Sequence, residues 1–456
     1  MLNLLKMQNC KKFKRMVALI DGEHYPQVTN DAIRKLKKEF CGTIAGIIFL
    51  GGTEKISSGK FSDFFDYDIF VVKDILQDFL SALDKFKPDI VFDLSDQPVV
   101  NHDIRMKIAS FCFYKKASYM GTDFFFENPS DRMKLEVPSI SVIGTGKRIG
   151  KTAISAFIAQ AYKKKGLDVI VVAMGRGGPQ KPQLLKGSEL EITPRFLLSL
   201  SKKGLHASSD YIEDALMSKI TTIGCRRCGG GFGGKVFLSN VTEGAKLASS
   251  LKPDLIIMEG SGASLPDVDT DSYICVIGAD QKWDEIVGYL GIYRIMISQT
   301  IILTMCEKPI ADFENIEILL NNIREINPSA SVFLSIFRPY PLGELGGKKV
   351  VVGMTAKSMM QEKIKNYLEK KYKCTITGMT FSLSDRPKLY NEIEKFGDFD
   401  VFLSELKAAA VDVITDYSVK HNKEVAYMNN VPFFRGGNRK FTDYLLVLFK
   451  KIASGC

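Results

Sequence analysis

PSISVIGTGKRIGKT, from Pro138 to Thr152, runs on into AISAFIAQAYKKKG, which ends at Gly166. Ile140–Ile143 is a short apolar run of the kind that forms a buried strand. Beyond the glycines, Ile154, Phe157, Ile158 and Tyr162 recur on one helical face. Lys163–Lys165 and Gly166 then supply a helix end. A strand, a glycine-rich turn and a helix in that order build an anion site, because backbone N–H groups and the helix N-terminus converge on one point. In such a loop Lys151 reaches the β- and γ-phosphate oxygens of ATP, and the Thr152 hydroxyl coordinates Mg²⁺. The pattern G-x-x-x-x-G-K-[ST] asks for glycine at position 145, where this chain has Thr145; Gly144 stands one place earlier. The expected nucleotide-binding set is Gly144, Thr145, Gly146, Ile149, Gly150, Lys151 and Thr152.

Outward from this loop, short Val- and Ile-rich runs alternate with amphipathic helical stretches along the whole chain, which predicts parallel α/β architecture. The expected fold class is a P-loop NTPase-type, largely parallel sheet with helices on both faces, plus an N-terminal α/β domain. In the first block the strand candidates are Met16–Ile20, Thr43–Leu50, Tyr67–Val72, Asp89–Leu94 and Ser118–Thr122. Pro129-Ser130-Asp131 marks a boundary, giving an N-terminal domain over 1–135 and a catalytic domain over 136–456. After Ile140–Ile143 the candidates are Val169–Ala173, Leu255–Met258, Tyr273–Ile277, Thr300–Met305 and Ser331–Phe337. PYPLGELGG (Pro339–Gly347) reads as a linker or long turn. The remaining segment, 346–456, either extends the central sheet or forms a C-terminal α/β subdomain, through Lys349–Thr355, Thr375–Thr380, Val401–Leu403 and Val425–Met428.

Three further pieces carry chemistry. Leu255–Met258 ends in Glu259-Gly260, and a P-loop needs an acid of this kind because Mg²⁺ takes carboxylates directly or through water. Thr152 and Glu259 are therefore the expected metal residues, with Asp280 after the next strand as the alternative and a solvent-facing turn acid as the plain reading of Glu259. MGRGGPQKP (Met174–Pro182) follows a strand at the ligand-facing edge of an open α/β sheet. Its Arg176, Gly177, Gly178 and Lys181 present cations and free N–H groups to phosphate, unless it is an ordinary βα turn. GCRRCGGGFGGK (Gly224–Lys235) reads as a loop whose glycines let the backbone approach a ligand, with Arg226, Arg227, Gly230 and Lys235 on the substrate. Cys225 and Cys228 form a lone C-x-x-C with no second pair, so zinc, a redox dithiol and plain packing all stay open. Lys147, Arg148, Lys151 and Arg176 are the expected catalytic cations. Asp21, Glu23 and His24 in IDGEHYPQVT face a ligand or sit in a strand-end turn.

The chain has 456 residues, 45% hydrophobic and 25% charged, which excludes a disordered or collagen-like protein. The length calls for more than one domain. A formal charge of +10, from 62 basic and 52 acidic residues, suits an anionic ligand. No basic stripe with interleaved aromatics is present, so nucleic acid is not an expected partner. Nine scattered cysteines show no disulfide framework, and four histidines show no metal-ligand spacing. The N-terminus lacks the order of a secretory signal, and no run of about 18 apolar residues occurs. A cytoplasmic location away from membranes is expected.

GTGKRIGKT resembles the longer phosphate loop of dethiobiotin synthetase and its relatives, with Lys147 and Arg148 where that family has small residues. Together, ALIDGEHYP, SVIGTGKRIGKT, VVAMGRGGP, CRRCGGGFGG and LIIMEGSGAS resemble the cyclic 2,3-diphosphoglycerate synthetase family over essentially the whole chain. The resemblance implies that ATP and Mg²⁺ are used to close 2,3-diphosphoglycerate into a ring through an internal phosphoanhydride, with a 2-phosphoglycerate kinase side activity. A homodimer is expected. The competing expectation is a nucleotide-switch, metal-insertion GTPase using Cys225 and Cys228, although the Asn-Lys-x-Asp base motif is missing.

Overall fold

The computed structural model describes residues 13–52, 54–55, 61–128, 132–189, 193–202, 209–260 and 262–455. Two compact units emerge: Met1–Asp131 with Asp284–Ile297, and Arg132–Trp283 with Ser298–Cys456. The proposed boundary at Pro129-Ser130-Asp131 lies outside the described residues.

The first unit is a six-stranded sheet of β1 (Arg15–Ile20), β2 (Thr43–Phe49), β3 (Ile69–Val71), β4 (Ile90–Asp93), β5 (Ser118–Met120) and β6 (Phe125–Phe126). Its order is β3-β2-β1-β4-β5-β6, parallel except for β6. Beyond the exposed Arg15, β1 reads Met-Val-Ala-Leu-Ile with each of these residues buried, as a strand covered on both faces requires. The linear division at 135/136 needs one correction, since Asp284–Ile297 belongs to this unit. That segment buries Ile292 and Ile295 and sets the Tyr293 ring edge-on to Phe113 at 5.6 Å.

The second unit is built on a 13-stranded sheet. Beyond the short β7 (Met133–Lys134), its P-loop part holds β8 (Ser139–Gly144), β9 (Val169–Gly175), β10 (Gln183–Lys186), β11 (Thr221–Gly230), β12 (Val236–Ser239) and β13 (Leu255–Gly260). After the short β14 (Val268–Asp269) come β15 (Ser272–Gly278), β16 (Thr300–Thr304) and β17 (Ser331–Pro341). The C-terminal part adds β18 (Lys349–Gly353), β19 (Thr375–Thr380), β20 (Val401–Glu405) and β21 (Glu424–Phe434). The order is β10-β11-β9-β13-β8-β15-β16-β17-β21-β20-β18-β19, with β12 paired to β11. Two helices frame the site: α1 (Lys151–Lys163) after β8 and α2 (Asp210–Ser218) before β11.

Two sequence readings change here. Gly224–Lys235 is not a loop: β11 runs through to Gly230 and turns back on β12 as a hairpin, with Arg227 opposite Ser239 and Cys228 opposite Leu238. The glycines serve the turn, where Gly234 has φ +83° and Gly231 donates to the Lys235 carbonyl at 2.8 Å. Pro339–Pro341, read as the start of a linker, closes β17. That strand pairs with β16 through Ser331–Leu334 and then antiparallel with β21 through Ser335–Pro341, so the C-terminal strands continue the same hydrogen-bonded sheet.

Candidate active site

The phosphate loop leaves β8 at its carboxyl end, and its shape explains its residues. Arg148 and Gly150 take φ of +61° and +89°, which turns successive N–H groups toward one side. Gly150 is obligatory, because a Cβ there would lie 2.3 Å from the Phe337 ring. Thr145 has no positive φ to demand glycine; its hydroxyl donates to Gln281 Oε1 at 2.7 Å and braces the loop against the end of β15. Thr304 Oγ1 donates to the Ile149 carbonyl at 2.8 Å. Lys151 is buried, and its ammonium donates back to the Gly146 carbonyl.

β13 lies beside β8 and carries Glu259 to the same edge. Thr152 Oγ1 donates to Glu259 Oε1 at 3.1 Å. Glu259 is 1% exposed, and its Oε2 is buried with no hydrogen-bond partner among the described residues. Burial first, then Asp210, raises the Glu259 pKa, while burial lowers that of Lys151 against the pull of Glu259. A buried carboxylate with one oxygen unclaimed, beside a threonine hydroxyl at a helix start, is the donor set a hard divalent cation takes. The residues therefore fit Mg²⁺.

A cleft of about 560 Å³ opens over this loop. Its lining includes Lys147, Arg148, Lys151, Arg176 and Asp210. Above Gly262 two guanidinium groups converge: the position a Cβ would take there is 2.8 Å from Arg176 Nη2 and 3.8 Å from Arg227 Nη2. Arg176 is the largest cause depressing the Lys147 pKa; burial and then Arg176 lower that of Arg227. Cations crowded until they oppose one another's charge form a site for an anion of high charge.

Sequence models for three domains of cyclic 2,3-diphosphoglycerate synthetase match this chain: the N-terminal domain over 15–127, the P-loop domain over 139–336 and the C-terminal domain over 341–431. The chain belongs to the cyclic 2,3-diphosphoglycerate synthetase family. It is 44% identical over 427 residues to the protein of that name from Methanothermus fervidus, covering 92% of this chain and 93% of the other. The Thermococcus kodakarensis synthetase is 46% identical over 417 residues, 91% of this chain and 94% of the other. That from Methanothermobacter thermautotrophicus is 42% identical over 445 residues, 96% of each. As a member of this family the chain is an enzyme, a synthetase.

For this synthetase, not every expected ligand residue reaches the cleft. Lys147, Arg148, Gly150, Lys151, Thr152, Arg176, Gly177 and Glu259 line it; Gly144, Thr145, Gly146 and Ile149 of the loop do not, nor do Gly178, Lys181, Arg226, Arg227, Gly230 and Lys235. Gly178 has another reason to be glycine, since a Cβ there would fall 1.9 Å from the Cys225 carbonyl oxygen. Arg226 and Arg227 are neighbours on a strand and point to opposite faces. Only Arg227 is buried, with its guanidinium near that of Arg176.

The wall facing the loop comes from residues the motifs did not flag. Glu213 on α2 pairs with Lys407, just past β20, at 3.2 Å; burial lifts the Glu213 pKa to about 7. Glu405 accepts from Thr355 N and Oγ1 at 2.8 and 2.6 Å and from Asn430 Nδ2 at 2.6 Å. These residues lie up to about half the chain from the loop, and DYIED (Asp210–Asp214) reads as an ordinary acidic helix start. The one available signal was that its acids at i, i+3 and i+4 share a helix face.

Asp21, Glu23 and His24 form a strand-end turn. Asp21 accepts from Glu23 N and lies 3.0 Å from His24 Nδ1.

The C-x-x-C is not a chelating pair, because three residues along a strand reverse the side-chain direction. Cys225 is buried, with its Sγ 2.1 Å from where a Gly244 Cβ would lie, and burial pushes its thiol up to about 12. Cys228 is exposed. Among the described residues no group of three or more His, Cys, Asp or Glu could hold a metal ion. Cys228→Ser should leave melting and turnover unchanged. Cys225→Ser should cost about 1–3 kcal/mol by burying a hydroxyl, without changing the nucleotide affinity. Stoichiometric zinc in the purified protein, lost together with activity in the double variant, would contradict this and restore the metal-insertion reading.

Proposed function

We propose that this cleft binds ATP and 2,3-diphosphoglycerate side by side and closes the second into its cyclic phosphoanhydride. The observation that carries the reading is the meeting of two phosphate-binding groups in one cleft: Lys151 with Thr152 at the loop, and Arg176 beside Gly262. Arg227 lies outside the lining but converges with Arg176 on Gly262. The adenine ring would pack on apolar residues of the cleft lining, among them Met305, Ile310, Met354 and Ile364. Mg²⁺ held by Thr152 and Glu259 would neutralise charge on the β- and γ-phosphates. Lys151 binds the oxygens of the phosphoryl group that leaves the nucleotide. Arg176, with Lys147 and Arg148, holds the acid's carboxylate and phosphates close to it.

An oxygen of one substrate phosphate takes the γ-phosphoryl, so a P–O–P bond forms as the β–γ bond of ATP breaks and ADP leaves. The second substrate phosphate then attacks the phosphorus so activated and expels inorganic phosphate, closing the ring. Both nucleophiles are already anionic, so the protein supplies position and positive charge rather than a base. Phosphorylation of 2-phosphoglycerate in the same pocket is the corresponding side activity. A homodimer in the cytoplasm belongs to the same reading; among the described residues no helix is long and apolar enough to cross a membrane.

The test follows ADP and phosphate release while phosphorylated three-carbon acids are screened, with phosphorus NMR on the product. ADP and phosphate in equal amounts with a cyclic product from 2,3-diphosphoglycerate is the expected result. ADP release with a different acid, and none with this one, would overturn the substrate assignment. Arg176→Ala should raise the apparent substrate constant at least tenfold, because losing a charge-assisted contact to a desolvated phosphate costs about 2–5 kcal/mol. The affinity for ATP should hardly move. A variant in which the two constants rise together would place Arg176 on the nucleotide instead.

A further inference from the structure

We propose that Lys407, carried by the C-terminal strands, is a catalytic cation that contacts the phosphoryl group in transfer from the side opposite Lys151; the assignment rests on the function proposed above. The first ground is topology. The chain passes from β18 to β19 on one side and then to β20 on the other, so β18 and β20 are neighbours whose connections run in opposite directions. In an open parallel sheet the crevice outside the carboxyl ends of two such strands is where ligands bind. Here that crevice is formed by Thr355 and Lys357 beyond β18 and by Glu405 and Lys407 at β20, and all four line the cleft that holds the phosphate loop. The C-terminal strands thus bring a second ligand edge to bear on the P-loop.

The second ground is the state of the charged groups at that edge. Lys357 is engaged by Asp280 at 3.0 Å and is half exposed. Glu405 is saturated by its three donors from Thr355 and Asn430. Lys407 pairs with Glu213, keeps 33% of its side chain exposed to the cleft, and has three N–H donors of which Glu213 engages one. Burial works against its charge, but Glu213 and Glu405 overcome this and hold its pKa above the ordinary lysine value, so it stays an ammonium. Lys407 and Lys151 both line this one cleft, so both ammonium groups border the same space. A cation on each side of a phosphoryl group stabilises the charge that spreads over its equatorial oxygens in transfer. A purely structural pair explains less, because a buried ion pair seldom stabilises more than the apolar residues that could replace it.

The experiment compares Lys407→Met, Glu213→Gln, the double variant and Lys407→Arg with the wild-type enzyme. The double variant removes both charges and leaves no buried ion without its partner, so it should melt near wild type. Lys407→Met and the double variant should each lose about 30- to 100-fold in kcat, with KM for ATP changed by less than about threefold; Lys407→Arg should recover part of the loss and Glu213→Gln should lose far less. A second readout needs no acceptor: binding of Mg·ADP with and without aluminium fluoride, a mimic of the phosphoryl in flight. Wild type should bind ADP at least about tenfold more tightly with the fluoride, and the double variant should lose that gain while binding ADP alone as before. A double variant that keeps the gain and turns over normally overturns the assignment, as does a loss in Glu213→Gln equal to that in Lys407→Met. Failure of wild type to release ADP with 2,3-diphosphoglycerate, with the fluoride gain intact and dependent on Lys407, refutes the substrate reading and leaves this one standing. No gain in wild type refutes both.

Discussion

Lys151→Ala should remove nucleotide turnover by about three orders of magnitude or more while the protein still folds. The loop lysine is the one cation placed at the phosphates by both the chain and the helix start, and its loss forfeits charge stabilisation where the transferred group develops it. The fold should survive because Lys151 contributes little to its own support: its hydrogen bond is to the Gly146 carbonyl in the same loop, and burial already works against its charge. Removing it takes away the cation that most lowers the Glu259 pKa, so that carboxyl should remain protonated to a higher pH, which is a smaller cost than an unpaired buried charge. The measurement is ADP release beside a thermal melt. A variant that melts normally and turns over at a rate near wild type would end the phosphate-loop assignment.

Glu259→Gln should slow phosphoryl transfer by about 100- to 1,000-fold and shift the Mg²⁺ titration to higher concentration, with nucleotide binding in the absence of Mg²⁺ unchanged. The substitution is nearly isosteric and keeps an amide oxygen for the Thr152 hydroxyl that now donates to Oε1 at 3.1 Å. What it deletes is the charge at the buried, unclaimed Oε2. A metal titration and a rate identical to wild type would move the metal partner to Asp280, whose Oδ1 is also buried without a partner among the described residues and whose Oδ2 is held by Lys357.

How far the sequence revealed this enzyme depends on the distance over which each feature is encoded. The strand, loop and helix from Ser139 to Lys163 are local: one buried run, one glycine turn and one helical period specify them. The parallel architecture is legible for the same reason, as repeated Val- and Ile-rich runs separated by helices. The Gly224–Lys235 segment misled because a run of glycines carries the same composition whether it cradles a ligand or turns a hairpin; only the partner strand Val236–Ser239 decides, and that strand is short and mostly exposed. Lys407 was invisible for a different reason. Its meaning comes from Glu213, almost 200 residues away, and from the crossing of β18 and β20, neither of which leaves a periodic trace. Asp284–Ile297 likewise reads as a plain helical stretch of the catalytic block until Tyr293 is seen against Phe113.

The dual pairing of β17 has a consequence for how the enzyme can be cut. Its first four residues belong to the ladder of β16 and its last seven to the ladder of β21. A chain ended after Pro341 would leave Ser335–Pro341 as a bare strand edge with Ile336, Phe337 and Tyr340 along it, a template for pairing with other chains. It would also lose the helix Asn438–Ala453, whose Leu445 carbonyl accepts from the Tyr162 hydroxyl and whose Phe441 stacks near Phe157 of the loop helix. The phosphate-loop half is therefore not a detachable ATPase with an accessory tail. The tail finishes the lattice on which the loop itself is strung, and loss of the tail should be felt first as insolubility, before any question of catalysis arises.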